Sequence, residues 1–267
     1  MRFSRYISLR YFFTKSKNTA INYMSILAIV GVIVSSTAMF VVLSGFSGLK
    51  NYSLEFISFV SPEIKITPTK GKSFVFTDKI KSFLKNENIY YGLSYEDKAL
   101  LSVNENTRIV KVRGVDQFFP KKSIDSMIYQ GLWFAKGSEE IVVGLGAAYD
   151  LGISTFDAIS PIKLYAPKPG KGQVFSEKDV LRSINVLASG IFSLNEDLNN
   201  SLVLCDIELA KKLFELKNNE VGSIDVYDTG GSLEEINSFF GSQFSVETQI
   251  QQNRSIYKML NTEQVAI

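Results

Sequence analysis

One glycine-rich turn in the sequence has the pattern of a nucleotide-binding loop, Gly144-Leu-Gly146-Ala-Ala-Tyr149. In a dinucleotide site a third glycine allows close packing of the helix that follows, but Tyr149 occupies that position here. The next residues predict a helix of only about two turns, ended by Gly152. We therefore interpret the turn as a packed strand–helix corner. The sequence also lacks the G-x-x-x-x-G-K-[ST] motif, so the chain does not hydrolyse ATP through a P-loop.

Other residue types that carry chemistry are scarce or poorly arranged. The chain has no histidine, which removes His-based triads and His metal sites. The acidic pairs Glu139/Glu140 and Glu234/Glu235 are sequence neighbours, and neighbours do not face one another on a helix or a strand. The single cysteine, Cys205, lies in SLVLCDI and is predicted to be a buried thiol. We predict no catalytic residue, no metal site and no cofactor, with ATP bound by a separate partner subunit.

Charge is distributed unevenly along the chain. Residues 1–17 contain five basic residues and no acid, whereas the remainder carries a net charge of −3. A mildly acidic body argues against binding to nucleic acid, which requires a basic surface. The basic head is suited to an anionic membrane surface.

An uncharged apolar segment follows this basic head, and Met24–Leu43 is its most apolar part. As a helix of about 1.5 Å per residue it would span about 30 Å, the thickness of a bilayer core. The apolar part of a signal peptide is shorter, about 7–15 residues. We predict a transmembrane helix over residues 18–46, with a cytoplasmic N-terminus because the basic residues precede it.

Small residues recur within this helix at Ala28, Gly31 and Ser35. Such a pattern lets helix backbones approach closely in lipid, which predicts packing against other membrane helices. Single membrane anchors also carry such residues by chance, and that alternative stays open.

Beyond the helix, the hydrophobic pattern alternates between strand and helix periods. Two βαβ-like halves flank a mostly β insert. Within the insert, the sequence Pro167-Lys168-Pro169-Gly170 forms a stiff basic loop between two predicted strands. This loop is either a docking element for a partner or a plain solvated hairpin tip.

Several stretches are specific enough to compare with known families. These are SLRYFFTKSKNTAINYMSILAIVGVIVSSTAMFVVLSGFSGLKN, SPEIKI, EEIVVGLGAAYDLGI, NVLASGIFSL and the terminal LNTEQVAI. Together they resemble the permease subunits of MacB/FtsX-like ABC transporters, and most closely the lipoprotein-releasing, LolC/LolE-type branch. The resemblance extends over nearly the whole chain.

The resemblance implies an α+β fold, in which the transmembrane helix precedes an extracytoplasmic domain of porter-like βαβ halves with an inserted β-rich, sabre-like subdomain. It also implies that the chain is the first part of a longer permease. The implied divisions are a basic segment (1–17), the membrane helix (18–46), the stalk and first porter-like half (47–115), the sabre-like subdomain (116–192), the second porter-like half (193–250) and a helix leading to a second membrane helix (251–267).

The implied function is extraction of lipoproteins from the outer leaflet of the bacterial inner membrane and transfer to a periplasmic carrier. The implied partners are a cytoplasmic ABC ATPase, a second permease subunit and membrane lipids. Acyl chains would enter beside Met39, Val42, Leu43 and Phe46, although these residues could instead simply face lipid. MacB-like efflux, FtsX-like regulation of wall hydrolases and a single-pass sensor or scaffold with an external ligand-binding domain remain alternatives.

Overall fold

A computed structural model describes residues 3, 6, 7, 10, 19–104, 106–157, 161–168, 181–228, 233–254, 257 and 258. The chain divides into two compact units, residues 1–52 and 53–267. The structure confirms a mixed α+β protein with an apolar N-terminal helix and a sheet-rich domain.

The apolar segment forms part of the long helix α1, Thr19–Val60. Its span Tyr23–Gly48 has a mean hydropathy of 2.7, none of it is buried, and it is long and apolar enough to cross a membrane. The Thr37 hydroxyl donates a 2.8 Å hydrogen bond to the Ile33 carbonyl, so this polar side chain is satisfied within the helix. The helix ends at Val60, two residues before Pro62, as a proline requires.

Among the residues described, the domain that follows contains twelve strands, seven α-helices and one 3-10 helix, Gly241–Gln243. The strands are β1 (Ile64–Pro68), β2 (Phe74–Val75), β3 (Tyr90–Val103), β4 (Asn106–Val115), β5 (Ile128–Gly131), β6 (Glu140–Gly144), β7 (Ile162–Pro167), β8 (Leu181–Phe192), β9 (Leu202–Asp206), β10 (Glu220–Val221), β11 (Ser223–Asp228) and β12 (Phe244–Thr248). The helices are α2 (Asp78–Asn86), α3 (Lys121–Met127), α4 (Leu145–Leu151), α5 (Glu196–Ser201), α6 (Ile207–Phe214), α7 (Leu233–Phe240) and α8 (Gln249–Gln252).

Ten of these strands form one sheet in the order β12-β1-β11-β3-β4-β9-β6-β8-β5, with β7 bridging β3 and β8. Strands β1 and β3 both pair antiparallel with β11, so β1–α2–β3 is a βαβ unit with one strand between its two strands. Strands β11 and β12 both pair antiparallel with β1, which makes β11–α7–β12 a second unit of this kind. The two units interleave as a split βαβ fold, which confirms the predicted flanking βαβ halves.

Local caps fix several of these helices. The Asp206 side chain accepts a 2.8 Å hydrogen bond from Glu208 N and caps α6. Thr77 caps α2 in the same way, and Thr248 with Gln251 forms a capping box at α8.

Three hydrophobic clusters make up the core. One lies around the four interleaved strands and includes Ile66, Leu84, Ile224 and Ile236. The other two contain residues of β3 to β9 with the helices packed on them. The boundaries at 46/47, 115/116, 192/193 and 250/251 stay predictions.

Candidate functional site

The residues predicted to act in the membrane lie on one side of α1. A helix advances about 100° per residue, so Ala28, Gly31 and Ser35 fall on one stripe about a third of the helix circumference wide. The same stripe carries the four residues of the predicted entry site, Met39, Val42, Leu43 and Phe46. Each of these residues is 41% to 46% exposed. The small residues occupy the N-terminal part of the stripe and the larger ones its C-terminal part.

A polar network lies where α1 ends in the sheet domain. The Arg113 side chain, on β4, is only 3% exposed. Its Nη1 donates a 2.6 Å hydrogen bond to the carbonyl oxygen of Val60, the last residue of α1. Its Nη2 donates a 2.6 Å hydrogen bond to Asp225 Oδ2 on β11. One guanidinium therefore joins the end of the helix to the sheet.

The two charged groups stabilise each other's ionised forms. Burial disfavours the charged guanidinium, but the Asp225 carboxylate outweighs this effect and the pKa of Arg113 is raised. Burial likewise disfavours the carboxylate, but Arg113 outweighs it and holds the pKa of Asp225 below its usual range. Both groups are therefore ionised at neutral pH. The pair is a buried salt bridge, and removal of either partner alone would lower the stability of the fold strongly.

Strand β3, which lies between the strands of Arg113 and Asp225, carries small residues opposite this part of β11. Ser94 lies opposite Ser223 in the β3–β11 ladder, and their hydroxyl oxygens are 2.7 Å apart. The Ser223 hydroxyl donates a 2.8 Å hydrogen bond to Asp225 Oδ1. Gly92 lies opposite Asp225 in the same ladder. The nearest atoms to a Cβ at Gly92 would be side-chain atoms of Asp116 and Tyr227, so this position has little room for a side chain.

We call the end of α1 with the two residues after it (60–62) and the Arg113–Asp225 pair the junction. Side-chain amides from the segment that begins at α8 also bind here. Gln249 Nε2 donates to the Ser61 carbonyl and Gln252 Nε2 donates to the Pro62 carbonyl, each at 3.2 Å. Asn253 Nδ2 donates to the Ser61 hydroxyl at 3.3 Å. Val60, the last residue of α1, is thus bonded to the sheet, and the two residues that follow it are bonded to the segment that begins at α8.

A cavity of about 240 Å³ lies beside this junction. Its lining includes Val60, Ser61, Arg113, Leu198 and Asn253. The wall also carries the charged side chains of Lys65, Glu96, Lys111 and Glu247, so the cavity is polar.

The predicted docking loop is only partly described. Pro167 ends β7 opposite Leu181 of β8, and both Pro167 and Lys168 are exposed. The antiparallel pairing of β7 with β8 confirms that the loop connects two neighbouring strands. Pro169 and Gly170 lie outside the described residues, and the docking role stays a prediction.

The glycine turn, the cysteine and one acidic pair, which were considered for chemistry in the sequence, are packed or paired in the sheet domain. A side chain at Gly144 or Gly146 would collide with Asn199 or Asn200 at helix α5, which confirms the packed strand–helix corner. Cys205 is buried, and burial raises the pKa of its thiol. Glu139 pairs with Lys212, whereas Glu140 accepts hydrogen bonds from Ala135 N and Ser138 Oγ. Among the described residues, no group of three or more potential metal ligands occurs.

Sequence reasoning missed the Arg113–Asp225 pair. A weak signal was present, because each charged residue lies in an apolar strand, in VKVRGV and SIDVYD. The period-2 pattern did not show that the second face of these strands is also buried. Only the strand order brings the two residues together.

Comparisons with known proteins found similarity in structure alone. No protein-family model matches the chain, and no curated protein matches its sequence. The periplasmic region of MacB from Actinobacillus actinomycetemcomitans superposes with a TM-score of 0.47 and 11% identity, over 73% of this chain and 92% of that one. The extracellular domain of the noncanonic ABC-type transporter YknZ from Gram-positive bacteria gives a TM-score of 0.43 and 12% identity, over 69% of this chain and 99% of that one. Both TM-scores are below 0.5.

Proposed function

We propose that this chain is part of a MacB/FtsX-like permease subunit in an ABC transporter that releases lipoproteins from the bacterial inner membrane. A separate cytoplasmic ATPase supplies the energy, and a second permease subunit, identical or different, completes the membrane part. A periplasmic carrier receives the lipoprotein. The sequence resemblance to the Lol-type branch supports this function, and so does an α+β body that follows one apolar helix.

The observation that carries the proposal is the continuity of α1. A simple anchor needs only an apolar span, and the span here ends at Gly48. The helix nevertheless continues to Val60, whose carbonyl is bonded to a buried arginine of the sheet. We infer that α1 transmits movement between the membrane and the outer domain.

The charge pattern supports the orientation. Basic residues concentrate before the span, so the positive-inside rule places the N-terminus in the cytoplasm and the sheet domain in the periplasm. This arrangement puts the ATPase and the carrier on opposite sides of the membrane, as release requires.

The stripe on α1 supplies the substrate site of this proposal. Moving an acyl chain from lipid to water costs about 0.8 kcal/mol per CH2 group, so a lipoprotein with several chains needs both energy and an apolar shelter. Met39, Val42, Leu43 and Phe46 form the entry, and Ala28, Gly31 and Ser35 pack against a neighbouring membrane helix. The loop at 167–170 docks the carrier.

Depletion of the protein followed by membrane fractionation tests the function. Lipoproteins destined for the outer membrane are expected to accumulate in the inner membrane, and an ATPase should copurify with the protein in detergent. Normal lipoprotein sorting with lost drug efflux would favour a MacB-like pump, and lost septal wall cleavage would favour an FtsX-like regulator. Absence of any copurifying ATPase would favour the sensor or scaffold.

A further inference from the structure

The end of helix α1 is held by an unusual partner. The last four carbonyls of a helix have no partner within it, and water or a local cap usually satisfies them. The Val60 carbonyl instead accepts from Arg113, a buried cation on a strand 53 residues further along the chain. A cation at this position also stabilises the negative end of the helix dipole. The bond therefore ties the helix end to the sheet specifically.

The guanidinium serves its two partners with different nitrogens. Nη1 binds the Val60 carbonyl and Nη2 binds the Asp225 carboxylate. Asp225 keeps a second hydrogen bond, from the Ser223 hydroxyl. Loss of the bond to Val60 would therefore leave the buried salt bridge paired and the sheet unchanged.

The remaining nitrogen of the same side chain is not satisfied. Arg113 Nε is buried and has no hydrogen-bond partner within the described structure. An unpaired buried donor destabilises the folded state, because it has lost its bonds to water and gained none in the protein. The present arrangement thus leaves one donor of the Arg113 side chain unpaired. A small movement of this side chain that gave Nε an acceptor would be favourable.

Water can reach the bond beside the helix end. The polar pocket of about 240 Å³ that Val60 and Arg113 both line is open to solvent. The Val60 side chain itself is buried in a hydrophobic cluster of the core. Water from the pocket can therefore replace Arg113 at the Val60 carbonyl while the Val60 side chain stays packed.

We propose that Arg113 is a releasable latch, whose hydrogen bond to the Val60 carbonyl holds the end of α1 on the sheet and can open while the Arg113–Asp225 pair and the sheet stay intact. The use of this latch in transport rests on the proposed function. The latch itself is a property of this chain and is measurable without transport.

Hydrogen–deuterium exchange of the whole chain in detergent micelles tests the latch. In the unaltered protein, amides in the last turn of α1 (57–60) are expected to exchange faster than those of β1 and β4. The double variant Arg113→Met/Asp225→Leu removes both charges, so that no buried charge is left unpaired. It should accelerate exchange in the last turn by about tenfold or more, with β1 and β4 protected as before.

Arg113→Lys is the second variant, because it keeps a cation for Asp225 but cannot place two separate guanidinium nitrogens. We expect a smaller acceleration in the same turn. Unchanged exchange of the last turn in both variants would overturn the latch, and so would equal loss of protection in the helix end and the strands. Lipoprotein sorting is not read out here, so either proposal can fail while the other stands.

Discussion

Arg113 Nη2 lies 2.6 Å from Asp225 Oδ2, although the two residues are 112 positions apart and strand β3 separates their strands. The contact crosses β3 at the level of Ser94, whose hydroxyl bonds to Ser223. The same guanidinium binds the last carbonyl of α1. The end of α1 and the centre of the sheet therefore share one buried charge.

Removal of one member of this pair should be far more costly than removal of both. Arg113→Ala leaves Asp225 as an unpaired buried charge, and we expect a loss of about 3–5 kcal/mol in the free energy of unfolding. Arg113→Met/Asp225→Leu should change it by less than about 1.5 kcal/mol. Urea unfolding followed by fluorescence measures both, since Trp133, the only tryptophan, packs on Phe119 and Phe134. Equal losses in the single and double variants would contradict the coupling.

Asp116 should make stability depend on pH. Its carboxylate accepts hydrogen bonds from Leu93 N and Phe118 N, yet burial raises its pKa to about 6. The unfolded chain has a pKa of about 3.9 at this residue, so between these values the folded state binds more protons. The stabilisation relative to Asp116→Asn is complete below about pH 4 and is lost as the pH rises through 6, with an amplitude of about 3 kcal/mol.

Unfolding curves at pH 4, 5, 6 and 7 measure this difference. The exposed acid Asp125 supplies the matched control variant, Asp125→Asn, with which the pH profile of Asp116→Asn is compared. Parallel profiles for the two variants would show that the Asp116 carboxyl titrates normally.

The stripe on α1 predicts that neighbouring valines differ in function. Val42 lies on the stripe and Val41 lies on the opposite side at nearly the same depth. Val42→Asn should leave lipoproteins in the inner membrane, whereas Val41→Asn should sort them normally. Phe46→Asp and Leu43→Asp should block release in the same way, with the outer domain still folded. Membrane fractionation with immunoblotting measures sorting and protein amount together, and equal defects for the two valine variants would argue against an entry site.

The glycine corner predicts a loss of stability and no loss of nucleotide binding. A Cβ at Gly144 would collide with the backbone of Asn199, so Gly144→Ala should cost about 1–3 kcal/mol in unfolding free energy. Gly45→Ala is the control, because a Cβ there meets no described atom within 4 Å, and it should cost nothing. Saturable, Gly144-dependent binding of a dinucleotide to the purified chain would contradict the packed-corner interpretation.

The sequence by itself determined the local features of this protein. An uncharged run of sufficient length predicts the apolar part of α1, which the structure continues to Val60. The period of apolar residues gives β1, α2 and α6, and Asp206 gives a cap. Each of these depends on residues within a few positions of one another, so composition and spacing suffice to predict them.

Only the tertiary structure decided the junction. Arg113, Asp225 and Val60 come from three separate parts of the chain, and the bonds of Gln252 and Asn253 to Pro62 and Ser61 close loops of about 190 residues. The order and register of the strands determine which buried side chains meet. Strand order and register follow from the packing of the whole sheet, because the sequence of an isolated strand does not specify which strands lie beside it.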